Sequence, residues 1–328
     1  MMKKRLALIC LAAVMVLSGC GAAQSSSAPA SSVSASSASA SVQSTEVTFT
    51  DDLGRTVTVD SPKRVAALIG SFADVWCVAG GKDTLVAAAD DSWTQFDLDL
   101  PDSVVRLGSV SEPSAEALLA AQPDFIIASA KTAADVDLMP TLEDAGIPTA
   151  YFDVSTFEDY REMLEICTRI TGREDLYQQH GVEVGEQVQA TIDSAAGKQG
   201  PTVLYLRASG SSCKVKNSEN SVLGEMLADL GCTNIADSDE SLLENLSMEA
   251  ILQADPEYIF IVLQGSDPSK PQQSLEKAVL SNPAWQQLSA VKNGNYYYMD
   301  QRLYNVKPNA RWGEAYEGLA EILYGEAE

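Results

Sequence analysis

Histidine is almost absent from this chain. Its 328 residues include only His180, which excludes any centre built from several imidazoles, such as a His-rich zinc site. Positive charge is also scarce. Lys and Arg number 22 against 46 Asp and Glu, for a formal net charge of -24. A nucleic-acid partner is therefore not expected, because phosphate neutralisation needs clustered cations. The six cysteines form no C-x-x-C pair, which argues against a redox dithiol or a structural zinc site. There is no G-x-S-x-G, so the nucleophile elbow of exported hydrolases is missing. Composition excludes collagenous, coiled-coil and multi-span membrane proteins. Hydrophobic types still make up 45% of the chain, enough for a sizeable core. The length suits two domains or one large α/β unit.

The N-terminus reads as an export address. Lys3, Lys4 and Arg5 precede an apolar run from Leu6 to Leu17, about a dozen residues and too short to span a bilayer permanently. Leu17-Ser-Gly-Cys20 then resembles the bacterial lipobox, which implies cleavage before Cys20 and lipidation of its thiol. Two acyl chains hold a soluble domain on a membrane where one does not. The next 24 residues, Gly21 to Ser44, carry 11 Ser, 7 Ala and no charge, and read as a flexible tether. Of the remaining cysteines, Cys77 and Cys167 fall in apolar helical patterns, and Cys213 and Cys232 are spaced so that a disulfide is admissible outside the cell.

From Glu46 onward, strand and helix patterns alternate. A hairpin around Asp52 and Gly54 leads to short apolar strands at Val65–Ile69, Leu85–Ala88, Phe125–Ala128 and Thr149–Phe152, with helices between them. Phe157–Ile170 and Glu174–Ala196 read as helices, the second a strut. The strand pattern then restarts at Val203–Leu206, Ile259–Val262 and Tyr296–Met299, and Trp312–Leu323 closes as a helix. One unit recurs: Ser114-Ala-Glu116…Pro123-Asp-Phe-Ile-Ile and Ser247-Met-Glu249…Pro256-Glu-Tyr-Ile-Phe, an offset of 133 (249 less 116). The expected fold class is α/β: two Rossmann-like lobes with parallel sheets, joined by a single long rigid helix, with a ligand cleft between them. The expected divisions are a signal at 1–19, lipidated Cys20 and tether at 20–44, a first lobe at 45–172, the helix at 173–197 and a second lobe at 198–328.

Three further stretches occur in order: Asp51-Asp-Leu-Gly-Arg-Thr-Val-Thr-Val with Pro62-Lys-Arg-Val; Gly108-Ser with Ser114-x-Glu116; and Asn282-Pro-Ala-Trp285-Gln-Gln-Leu-Ser-Ala-Val-Lys-Asn-Gly-Asn-Tyr. With the repeated unit, they make the chain from Phe49 to Leu323 resemble the substrate-binding lipoproteins of ABC importers for ferric siderophores, haem and cobalamin. The resemblance implies two α/β lobes on one long helix. It implies capture without catalysis, a monomer, and partners in a permease and, through it, an ATPase. It also implies that Glu116 and Glu249 dock onto permease arginines, with Glu112 and Glu244 close by; the same glutamates also sit where a helix dipole favours a carboxylate. No cofactor or resident metal is expected.

Ligand contacts are expected just past the strand ends: Ser71, Trp93 and Lys131 in the first lobe, and Arg207, Gln264, Tyr304 and Arg311 in the second. Trp93 offers flat area to a planar ligand, and Lys131, Arg207 and Arg311 offer charge to an anionic chelate. Trp285 and Tyr296–Tyr298 read as core. An iron-siderophore chelate is the leading ligand; a corrinoid and haem are alternatives. His180, in the strut, is a poor axial ligand, so haem would need Tyr304 or Met299. A surface sensory lipoprotein and an exported hydrolase are the competing classes.

Overall fold

In the computed structural model, residues 46–219 and 221–325 are described. The signal, Cys20 and the tether lie outside them.

Strands form on short runs of small and β-branched residues. In the first lobe these are β3 (Val65–Ala67), β4 (Leu85–Ala88), β5 (Val105–Arg106), β8 (Phe125–Ser129) and β9 (Thr149–Phe152). They assemble in the order β5-β4-β3-β8-β9, all parallel. The second lobe has β10 (Thr202–Ala208), β11 (Cys213–Lys216), β12 (Thr233–Asn234), β13 (Tyr258–Leu263) and β14 (Tyr296–Met299). Here β10, β13 and β14 run parallel, while β11 turns back antiparallel along β10 and β12 covers the start of the same edge. Two short antiparallel hairpins stand apart: β1–β2 (Glu46–Thr50 and Thr56–Asp60) and β6–β7 (Gly108–Ser109 and Glu112–Pro113).

The central strands of both sheets are buried on both faces, as parallel strands must be when helices cover them. Alternate residues of β13 divide accordingly. Phe260 and Val262 face one core cluster, Ile259 and Ile261 another. In the first lobe, Val65 and Ala67 face the first of these clusters, and Ala66 faces a third. The inner faces of the two sheets thus merge into one core, joined by Tyr160, Val184, Val188, Trp312 and Tyr316 from the helices behind them. Fully burying each such large side chain contributes roughly 1.5–3 kcal/mol, so this shared layer resists free rotation of the lobes.

The connection between lobes differs from the single long helix expected. Phe157–Thr171 opens on a capping box, in which Thr156 Oγ1 accepts from Asp159 N (3.2 Å) and Asp159 accepts from Thr156 N (2.8 Å), and it stops at Gly172 with φ 71°. The strut follows as an α turn at Glu174–Tyr177, a π turn at Gln178–Val182 and an α-helix at Glu183–Ala195. The π turn has a local cause. Tyr160 Oη donates to the His180 carbonyl (3.1 Å), and bare Gly181 lies on Tyr177, where an added Cβ would come within 2.8 Å of the ring. His180 is half-buried there rather than solvated, and burial lowers its pKa.

One core expectation changes. Trp285 is buried, but Tyr296 and Tyr298 are exposed, because β14 is an edge strand and only Tyr297 stacks on Tyr258 and Phe260. Cys213 and Cys232 are free thiols packed against different core clusters.

Candidate functional site

The repeated sequence unit folds as a repeated structure. Ala115–Ala120 and Met248–Ala254 are short helices whose N-caps, Ser114 and Ser247, accept hydrogen bonds from Ala117 N (3.2 Å) and Ala250 N (3.3 Å). Each is followed by a residue in the left-handed region at the same offset, Gln122 (φ 49°) and Asp255 (φ 43°). Next comes a proline and a carboxylate that clips the start of the neighbouring strand. Asp124 accepts from Arg64 N (2.9 Å) ahead of β3, and Glu257 accepts from Thr202 N (2.8 Å) on β10. Glu116 and Glu249 occupy equivalent exposed positions in the first turns of these helices. Each helix leads back into a parallel strand, so its N-terminus lies at the strands' carboxyl ends, where the cleft opens.

A cavity of about 600 Å³ lies between the lobes at those strand ends. The first lobe supplies most of its wall, from the turns after β3, β4 and β8 and from the tip of β6–β7 (Ser109, Val110, Ser111). The second lobe adds Gln264, Ser266 and Val306. Ser71, Lys131 and Gln264 of the expected set line this cavity together. Ser71 is 1% exposed, its Oγ has no hydrogen-bond partner, and its carbonyl accepts from Asn309 Nδ2 of the second lobe (2.9 Å). Lys131 is exposed and forms an ion pair with Asp153 at 3.1 Å.

Four expected residues lie off the wall. Trp93 sits in the short helix Asp91–Thr94, packed on the shared core, with the Arg106 guanidinium 4.2 Å from its ring centre. Arg207 is half-buried on β10, with Nη1 3.5 Å from Asn305 Oδ1. Tyr304 is buried, and its hydroxyl donates to the Ala315 carbonyl (3.0 Å). Arg311 forks onto Glu314 (2.7 and 2.6 Å) beside a smaller cavity of about 150 Å³.

Several wall residues escaped the sequence reading. Asp90 and Asp91 follow β4 directly, the position where strand-end contacts belong. Asp91 Oδ1 accepts from Gly70 N (2.9 Å), and burial raises its pKa against that bond. Gly70 is required there, because a Cβ would come within 2.7 Å of Ser92 N. Gln95 also lines the cavity, with Oε1 buried and without a partner. Below the wall, Arg302 Nη2 donates to the Phe96 carbonyl (2.9 Å) and Asn309 Nδ2 to Asp74 (2.8 Å), so the second lobe holds the first by directed bonds. Burial raises the Asp74 pKa, with the Asn309 bond opposing. Lys307 is half-buried beside them, 5.8 Å from the Phe72 ring; burial lowers its pKa while Asp153, Asp91 and Asp159 oppose that. Among the described residues, no group of three or more His, Cys, Asp or Glu side chains is arranged to hold a metal ion. None of the described helices is long and apolar enough to cross a membrane.

Two lobes with parallel sheets around a strand-end cleft are the architecture of a solute-binding protein. The chain belongs to the periplasmic binding protein family, whose sequence signature spans residues 65–303. It is similar to the Fe(3+)-citrate-binding protein YfmC of Bacillus subtilis, with 25% identity over 301 residues, covering 89% of this chain and 88% of that protein. It is also similar to the putative ABC transporter substrate-binding lipoprotein YhfQ of the same organism (24% identity, 80% of this chain and 83% of that one). Among solved structures, the apo periplasmic haem-binding protein RhuT of Roseiflexus shares the fold, with a TM-score of 0.66 at 19% identity over 80% of this chain and 98% of that one.

Proposed function

We propose that this chain is the capture protein of an ABC importer for an iron chelate of the siderophore type. It binds its ligand in the cleft without turnover, is held outside the cell membrane by lipid on Cys20, and presents Glu116 and Glu249 to a permease whose ATPase drives transport. The carrying observation is the pair of Ser-capped helices, one per lobe, which set two exposed carboxylates at the cleft end of the molecule. Two fixed charges specify orientation and raise the on-rate with a basic partner. The family and the iron-chelate relative support the ligand class.

Haem is the weaker reading. The cleft wall carries no His, Tyr, Met or Cys, the usual axial ligand types. Of the two residues expected to substitute, Tyr304 spends its hydroxyl on Ala315, and Met299 is not part of the wall.

The test is ligand binding by the full-length protein in detergent and iron uptake by cells that express it. Binding of a ferric chelate with uptake that depends on the chain supports the proposal. Hydrolysis of the chelate, or uptake unchanged when the chain is deleted, overturns it.

A further inference from the structure

Several of the basic side chains near the cleft are already engaged. Lys131 is paired with Asp153 at 3.1 Å, and Arg311 with Glu314 at 2.6 Å. Arg106 lies over Trp93, with Nη1 3.8 Å from Asp90 Oδ1. Arg302 donates to the Phe96 carbonyl, and Arg207 lies 3.5 Å from Asn305 Oδ1. The groups left facing the cavity are of the opposite kind. Asp90 and Asp91 stand side by side on its wall, and Gln95 of the same wall has a buried, unpartnered Oε1. The Ser71 hydroxyl, 1% exposed and unpartnered, adds a group that accepts as readily as it donates. Buried polar atoms without partners are costly, so a site with surplus acceptors is completed by a ligand that brings donors. A polyanion would meet two carboxylates on the wall, where the cation present, Lys131, is already paired with Asp153; Lys307 lies off that wall, at the smaller cavity.

Resting on the capture reading above, we propose that the cleft selects by charge. It takes a ferric chelate of no net negative charge that presents an ammonium, amide or hydroxyl donor to Asp90, Asp91 and Gln95, and it turns polyanionic chelates away. Ser71 bonds the body of the chelate. This reverses the expectation that Lys131, Arg207 and Arg311 hold an anionic ligand. It also separates the chain from its relative named for ferric citrate. Like-charge juxtaposition in a partly desolvated cleft discriminates strongly, whereas exposed pairs discriminate little.

The experiment titrates the full-length protein in detergent, by tryptophan fluorescence, with three ferric complexes. One is a tris-hydroxamate with a free ammonium arm, the second is the same complex with that arm acetylated, and the third is a triply anionic tris-catecholate. The ammonium form is expected to bind about ten-fold tighter than the acetylated form and about a hundred-fold tighter than the catecholate. Its advantage should shrink as salt is added. Asp91→Asn keeps an acceptor for Gly70 N and removes the charge, so it should bring the ammonium and acetylated affinities together. Asp90→Asn provides the same reading from a side chain that holds no backbone amide. Tightest binding of the catecholate, or an unchanged ammonium-to-acetyl ratio in both variants, overturns the charge selection and leaves iron-chelate capture standing. If none of the three complexes binds, the capture reading falls and this inference falls with it.

Discussion

The two lobes match where they meet the outside and differ where they meet the ligand. Each repeats a Ser-capped helix, a left-handed residue, a proline and a carboxylate clip on the next strand, at one constant offset. Their contributions to the cleft are unlike. The first lobe builds most of the wall from four turns, the second adds three residues, and one edge of its sheet is closed by an antiparallel strand the first lobe lacks. A repeat of this kind separates two tasks. Docking needs equivalent points on both lobes, whereas ligand choice needs only one lobe to be particular.

The comparison breaks most visibly if docking is not shared. Replacing both Glu116 and Glu249 with lysine should abolish uptake while ligand affinity stays intact, because neither lines the cavity. Each single reversal should lower uptake by a similar factor if the lobes dock alike. Uptake that survives the double reversal removes the docking assignment.

A second difference lies beneath the first lobe's wall. Asp135 is fully buried, accepts from Ser129 N (2.8 Å) and has its other oxygen unpartnered; burial, opposed by that bond, pushes its pKa up to about 7. The folded state therefore holds a proton that the unfolded chain releases near pH 4. The resulting stability is full below that pH and is lost as pH rises through about 7, up to about 4 kcal/mol. Thermal melts of Asp135→Asn should fall less between pH 5 and pH 8 than those of the parent chain. Parallel slopes would refute the assignment.

Smaller effects sharpen the contrast. Gly70→Ala forces apart the helix Gly70–Val78 and the Asp91–Thr94 turn, since the added Cβ meets backbone at 2.7 Å. It should cost about 1–3 kcal/mol in chemical unfolding and weaken ligand binding as well. Gly200→Ala, whose Cβ would clash with the Gly231 carbonyl, should destabilise the second lobe without any change specific to the ligand. The smallest effect belongs to the clips. Asp124→Asn and Glu257→Gln should each cost about 1 kcal/mol, and to similar extents, if the repeat is equivalent in energy as well as in shape.

Short apolar runs bounded by turn residues were legible in the sequence. Leu85–Ala88 and Thr149–Phe152 form strands at the expected residues, and the repeat was visible as text. Elements with too few residues to carry a period were not, such as β6–β7 and β12. Neither was the π turn, whose cause is a hydroxyl, Tyr160, twenty positions upstream. The site was legible by place rather than by residue type. Ser71, Lys131 and Gln264 lie past strand ends and line the cleft. Arg311 and Tyr304 lie off the wall, and the fold satisfies their polar groups locally, through Glu314 and the Ala315 carbonyl. Asp90 and Asp91 met the rule of place but stood in an acidic chain, where one more carboxylate carries no signal.

The hairpin Gly108–Pro113 has its tip in the cleft wall and its base bonded into the docking helix, since Ser114 N donates to the Leu107 carbonyl at 2.7 Å. On the docking and capture proposed above, ligand and permease pull on opposite ends of one ribbon. If seating on the permease changes the hold on cargo by some factor, cargo must change the hold on the permease by that same factor. A carrier that loosens its load on arrival is, by the same reciprocity, one that leaves more readily while still loaded.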